Sequence, residues 1–145
     1  GAHPAFNCNL GDTLTFEYDE TLYSERIDRD SVITGDKDLI LQNSNKIELT
    51  EHLFDKDALI FPNVKSNYVI LNEKKAGKHI RFAFGDSPFL AIWAKPAAPF
   101  VCIEPWYGVN DSYEKATDFS KKRGIQKLSS GEKFEFSWSA EFKED

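Results

Sequence analysis

"FLAIWAKPAAPFVCIEPW", residues 89–106, decides the fold. Residues 89–94 and 100–103 are short apolar runs that read as buried strands, neighbours across Pro96-Ala97-Ala98-Pro99. Side chains alternate along a strand, so Cys102 and Glu104 share one face while Val101 and Ile103 take the other. Trp106, two residues on, joins the Glu104 face. A carboxylate beside a tryptophan at the end of an apolar strand is costly to bury. Two readings stand: a strand-end glutamate in water, or a carboxylate held for chemistry. Trp93, ending the first strand, reads either as core or as pocket wall.

The same pattern runs outward in both directions. Leu14, Phe16 and Tyr18 alternate with Thr15 and Glu17, which predicts a half-buried strand over 14–18. A strand over 22–27 is expected to pair back across the corner Tyr18-Asp19-Glu20-Thr21. Short strands follow at 39–41 and, after the turn-rich Asn43-Ser44-Asn45, at 47–49. Thr50 is placed to cap a brief helix over 50–55. Strands at 58–61, 68–71 and 79–84 come next, the last two flanking the charged hairpin turn NEKKAGK (72–78) with Gly77 at its tip. Phe134, Phe136, Trp138, Ala140 and Phe142 alternate with Glu135, Ser137, Ser139 and Glu141, the cleanest strand pattern in the chain. About ten short strands predict an all-β fold, an antiparallel β-sandwich or barrel. No repeat or linker divides it. Residues 113–123 form the longest loop or helix, with Lys121, Lys122 and Arg123 as a solvated face and Gly124 ending any helix.

Composition narrows the function classes. A chain of 145 residues makes one domain, and 41% hydrophobic with 14% aromatic residues makes it a globular one. A formal net charge of −6 argues against a nucleic-acid partner, whose phosphates need a basic face. No apolar run approaches the roughly 20 residues of a membrane span, and no signal-peptide pattern is present. A cytoplasmic protein with a small or neutral partner is expected. Cys8 and Cys102 then read as free thiols. Two Cys and three scattered His lack a zinc spacing, so no metal is expected. Without a Gly-rich phosphate loop, a Gly-x-Ser-x-Gly elbow or paired cysteines, nucleotide and nucleophilic chemistry have no support, and no cofactor is expected.

His52 and His79 sit in polar contexts and read as surface residues. His3 differs, because Pro4 restricts it to extended geometry and an aromatic follows. One imidazole and one carboxylate, His3 and Glu104, are a pair suited to proton transfer. Trp106 beside Glu104 suits a sugar: the ring stacks on the apolar face and the acid takes hydroxyls. Asp57, in LFDKDALIF, is a cap or turn candidate on its own.

GAHPAFNCNL, LFDKDALIF and APFVCIEPWYGVND, with the closing KKRGIQKLSSGEKFEFSWSAEF, resemble the aldose 1-epimerase (galactose mutarotase-like) family and its LacX-like subgroup. The resemblance spans almost all 145 residues and implies part of a β-supersandwich. Family members are about twice as long, so residues 1–145 correspond to the C-terminal portion of one such domain. That expectation agrees with a chain containing no Met and opening on Gly1. By resemblance, His3 is the general acid at the ring oxygen and Glu104 the base at the anomeric hydroxyl. Asp57, Trp93 and Trp106 are then substrate-binding residues, and the family uses no cofactor. The expected function is a mutarotase interconverting α and β anomers of a hexose. The alternatives are a non-catalytic carbohydrate-binding protein of the same fold and a structural β-domain. Relatives take further sugar-binding residues from their N-terminal half, so the expected partners are a hexose and that missing half or a second chain.

Overall fold

The computed structural model describes residues 1–74, 77–114 and 118–144. Lys75 and Ala76 of the expected hairpin tip, and residues 115–117 of the charged segment, lie outside the described residues. Among the described residues nine strands make up the fold: β1 (Ala5–Asn7), β2 (Thr13–Ile27), β3 (Ile33–Glu48), β4 (Leu59–Pro62), β5 (Tyr68–Asn72), β6 (Lys78–Ala83), β7 (Phe89–Trp93), β8 (Phe100–Trp106) and β9 (Ser139–Glu144). They pair antiparallel in the order β1-β8-β7-β4-β2-β5-β6-β9, with β3 also on β2.

β2 is the spine. Its first half pairs with β5, from Thr13 to Phe16, and its second half pairs with β4 at Glu25. Two arms therefore leave the same strand, β4-β7-β8-β1 and β5-β6-β9. They curl to face each other, and the core lies between them. Phe6 of the first arm meets Phe82 of the second at 5.7 Å between ring centroids, and Phe16 meets Phe61 at 6.4 Å. Complete burial of Phe61 and Phe82 contributes about 1.5–3 kcal/mol each. The result is the expected antiparallel sandwich, built from one curled sheet.

The expected corner at residues 18–21 is instead the middle of a 15-residue strand. No glycine or proline is present there to reverse the chain. Register shifts against β3 between Thr15 and Tyr23 bend the strand without breaking it. Buried Glu20 sits at the bend. Its carboxylate accepts from Ser66 N (2.9 Å), Ser66 Oγ (2.5 Å) and Lys65 N (3.0 Å), while Ser66 Oγ accepts from Tyr18 N (3.2 Å). Residues 63–67 connect β4 to β5, so these bonds fill the gap where β2 changes partner. Likewise Asn43-Ser44-Asn45 is no turn: it lies inside β3, with Asn43 in the left-handed region at φ 47°.

Two further expectations are corrected. Residues 50–55 form successive four-residue turns, marked by Leu53 N to Thr50 O and Asp55 N to His52 O (both 3.3 Å), and no helix. A six-residue helix gains few bonds against the cost of its first turn, and Phe54 is drawn into the core. The alternating run at 134–142 becomes a strand only from Ser139, where it pairs with β6. β6 ends at Ala83, so residues 134–138 have no edge to join. Phe134 and Phe136 cross to Tyr107 (5.0 and 4.9 Å between centroids), and Trp138 lies on Phe82 (5.4 Å). The crossing passes so close over Gly85 that a Cβ there would meet the Ser137 carbonyl oxygen at 2.9 Å. Among the described residues no helix is long and apolar enough to cross a membrane.

Replacing Glu20 by Ala strands two backbone N–H groups, so a loss of about 3 kcal/mol is expected. Glu20→Gln keeps one acceptor oxygen and loses roughly 1 kcal/mol. Urea-unfolding midpoints of the two variants should show that order.

Candidate active site

β7 and β8 are buried on both faces. Leu90, Ile92, Val101 and Ile103 fill the main core, while Phe89 and Ala91 pack with Ile33, Ile60 and Val109 in a second, smaller cluster. Glu104 faces this second cluster, directly across from Ala91. β8 runs on through Trp106, so Glu104 is not at a strand end. It is 2% exposed, which overturns the reading of a glutamate in water.

The edge strand beside β8 supplies the imidazole. Ala2 N donates to Pro105 O (3.1 Å) and Ile103 N donates to Pro4 O (3.2 Å), which holds residues 2–4 alongside the strand. Between those bonds, His3 Nε2 lies 3.4 Å from Glu104 Oε1. The other oxygen, Oε2, accepts from Trp106 Nε1 at 3.1 Å. Trp93 meets the His3 ring edge-on at 6.4 Å between centroids. Residues from opposite ends of the chain, His3 and Glu104, are thus in contact, and both tryptophans stand beside them.

Burial pushes the Glu104 carboxyl above the usual glutamate range; the positive charge available on His3 and the Trp106 N–H pull it part of the way back. A raised carboxyl facing an imidazole is a proton-transfer pair. His3 is 63% exposed on its side chain, so the pair is reached from solvent through the imidazole. A groove of about 740 Å³ opens there, lined by His3, Trp106, Tyr107, Arg123 and Phe134 among others.

Asp57 lies outside this contact network. It is exposed at φ 78° in the turn before β4, and its Oδ1 accepts from Ala58 N (2.7 Å), the turn role open to it from sequence. The Lys121-Lys122-Arg123 run begins on the last residue of a short 3-10 helix, Phe119–Lys121, capped by Asp118. Lys121 is exposed as expected, but Lys122 pairs with Asp111 (2.7 Å) and Arg123 grips buried Glu25 with two bonds (2.9 and 2.5 Å). Nothing in the local sequence marked that long-range pair. His52 is a surface residue as read, held by Asp55 at 3.0 Å.

Cys8 and Cys102 are both buried free thiols. Cys102 is the residue whose position the sequence reading left unused. Alternation put it on the Glu104 face, and its Sγ, His3 and Glu104 donor atoms all lie within 4.8 Å of one another. Burial, with Glu104 nearby, pushes its thiol up to about 11.

No family model matches the chain. The LacX proteins of Lactococcus lactis subsp. lactis, plasmid and chromosomal, are each 34% identical over 138 residues, which is 88% of this chain and 46% of theirs. A galactose mutarotase related enzyme from Lactobacillus acidophilus superposes with a TM-score of 0.85 at 27% identity, over 97% of this chain and 50% of that one. A galactose mutarotase-like protein from Lactobacillus casei gives 0.84 at 29% identity, over 97% of this chain and 52% of that one. The chain spans about half the length of the relatives it matches. The sequence likeness over most of its residues and the shared fold lead to one conclusion: the chain is LacX-like in sequence and galactose mutarotase-like in fold.

Proposed function

We propose that the chain carries the proton-transfer pair of an aldose 1-epimerase, which interconverts the α and β anomers of a hexose. The observation that carries this reading is the buried Glu104 carboxylate 3.4 Å from His3 Nε2. A cyclic aldose has two oxygens on one carbon, the ring oxygen and the anomeric hydroxyl. An acid and a base in mutual contact can therefore serve both at once. Glu104 takes the anomeric proton, His3 protonates the ring oxygen, and the bond between the anomeric carbon and the ring oxygen breaks to leave the aldehyde. After rotation about the bond between C1 and C2, the ring recloses. His3 recovers its proton from the C5 hydroxyl and Glu104 returns one to the former carbonyl oxygen. No proton is gained or lost overall.

Trp106 orients the base through Oε2 and offers its ring to the apolar face of the sugar, with Trp93 behind His3. Asp57, at the mouth of β4, is assigned to sugar hydroxyls. The groove's volume suits a small ligand, and it is open to solvent. We take its other wall to come from the counterpart of the relatives' remaining half or from a second chain, in a cytoplasmic setting that agrees with two free thiols.

Exchange between α and β anomers of glucose and galactose, followed by NMR, tests the assignment. The chain should be assayed alone and together with the complementary half of a full-length relative. Glu104→Gln and His3→Asn should each slow catalysed exchange by about 10²–10⁴-fold. Unchanged rates in both would sink the pair, and sugar binding without exchange would return the non-catalytic reading. Activity should fall as pH drops through a midpoint above the usual glutamate value, since Glu104 must be ionised to act. Trp106→Phe removes a bond to the charged form and should move that midpoint further up.

Stability should respond in the opposite sense. The folded carboxyl binds its proton more tightly than the unfolded one. Its contribution is therefore complete below the unfolded pKa and is lost as pH rises through the raised folded value. Glu104→Gln, neutral throughout, should then unfold at higher urea than the parent chain at neutral pH while being inactive. A lower midpoint would mean that Glu104 serves the fold rather than the chemistry.

A further inference from the structure

We propose that His3, Cys102 and Glu104 form a three-donor site for a zinc-type divalent cation, which silences the proton-transfer pair by ligating both of its members. Imidazole nitrogen, thiolate sulfur and carboxylate oxygen are the three ligand types that such a cation takes from proteins. Here one of each converges, with all donor atoms within 4.8 Å of one another. His3 Nε2 and Glu104 Oε1 are already at 3.4 Å, close to the spacing of two ligands on one tetrahedral ion. The longest separation needs a shift of roughly 1 Å to close onto metal–ligand bonds of about 2.0–2.3 Å. His3, exposed just before β1, can move toward the other two donors, which β8 carries. That same exposure leaves the fourth position to water.

Charge and softness favour the same occupant. A thiolate and a carboxylate together neutralise the charge of a divalent ion. The sulfur selects zinc or cobalt over magnesium or calcium, which take oxygen ligands. The buried thiol holds its proton without a metal, having been pushed up to about 11 by burial and the neighbouring Glu104. As the S–metal bond forms, the S–H proton leaves to solvent and the sulfur lone pair goes to the metal; no electron changes hands. The inhibition rests on the proton-transfer reading of His3 and Glu104, whereas the binding does not.

The test adds Co²⁺, as a spectroscopic stand-in, to the full chain in its reduced form. A near-ultraviolet thiolate-to-cobalt absorption should appear, be displaced by Zn²⁺, and be unmoved by millimolar Mg²⁺. Cys102→Ala should abolish the band, and His3→Gln should weaken apparent affinity at least about tenfold. His3 is a surface side chain, so that variant folds even if the buried substitution does not. No band, a band that survives Cys102→Ala, or equal affinity in His3→Gln would overturn the site. In the exchange assay, Zn²⁺ should stop catalysis reversibly by chelator, and Cys102→Ala should keep basal exchange while losing Zn²⁺ sensitivity at least about tenfold. Exchange in Cys102→Ala that is as zinc-sensitive as in the parent would also count against it. Absence of any exchange in the metal-free chain would refute the epimerase reading alone, and the cobalt band would still decide the site.

Discussion

The architecture depends on a carboxylate placed where a strand runs out of neighbours on one of its two sides. β2 pairs with β5 along its first half and with β4 near its end, and between the two its ladder has no continuous partner. Unpaired backbone groups in that gap would be buried and costly. Glu20 and Ser66 close it: the carboxylate takes the N–H groups of the connecting loop, and the hydroxyl takes that of Tyr18. With the gap closed, a single strand can feed two arms that fold over one core. Without it, β2 would face a choice of partners and the arms would have no fixed angle.

The second consequence of that angle is a row of residues across the first arm. Register places Glu25, Ile60, Ala91 and Glu104 opposite one another on four successive strands. Two buried carboxylates thus lie on one face with two apolar side chains between them. They are treated differently. Glu25 is closed off by the Arg123 guanidinium, whose planar fork matches both oxygens and whose charge is permanent. Among the described residues Glu104 is met by an imidazole, a type of group that can lose its charge, and one indole N–H. An ion pair that cannot discharge is a structural device. A pair that can discharge is a chemical one, and this contrast within one row is the physical basis for reading Glu104 as a base.

How much of this was legible in the chain varied with the range of the interaction. The hairpin at 89–106 and the shared face of Cys102, Glu104 and Trp106 follow from two-residue periodicity, which is local, and they are present in the fold. The merging of four expected short strands into β2 and β3 was hidden, because a bulge at Glu20 reads like a turn until its loop partner 45 residues away is in place. Residues 134–138 carry a strand's alternation without forming a strand, because pairing needs an edge and β6 ends too soon. The Arg123–Glu25 bond spans 98 residues and leaves no local trace. His3 meeting Glu104 likewise could be reached only through family resemblance, since nothing in either segment names the other.

The pair is also mechanically unequal, and this bears on how such a site works. Glu104 lies in a strand paired on both sides and buried on both faces, with one oxygen tied to Trp106. Its position is set by the sheet. His3 sits on the rim, before a three-residue edge strand, with Pro4 limiting its backbone to extended geometry but its ring open to solvent. A reaction that opens a ring moves the ring oxygen away from the anomeric carbon while the aldehyde oxygen stays near the base. A fixed base and an acid able to follow its oxygen match that displacement better than two rigid groups would. The same freedom lets His3 turn toward Cys102. On the two proposals made above, one adjustable imidazole between a carboxylate and a thiol carried by the same strand would give the site two states, one set by a sugar and the other by a metal ion.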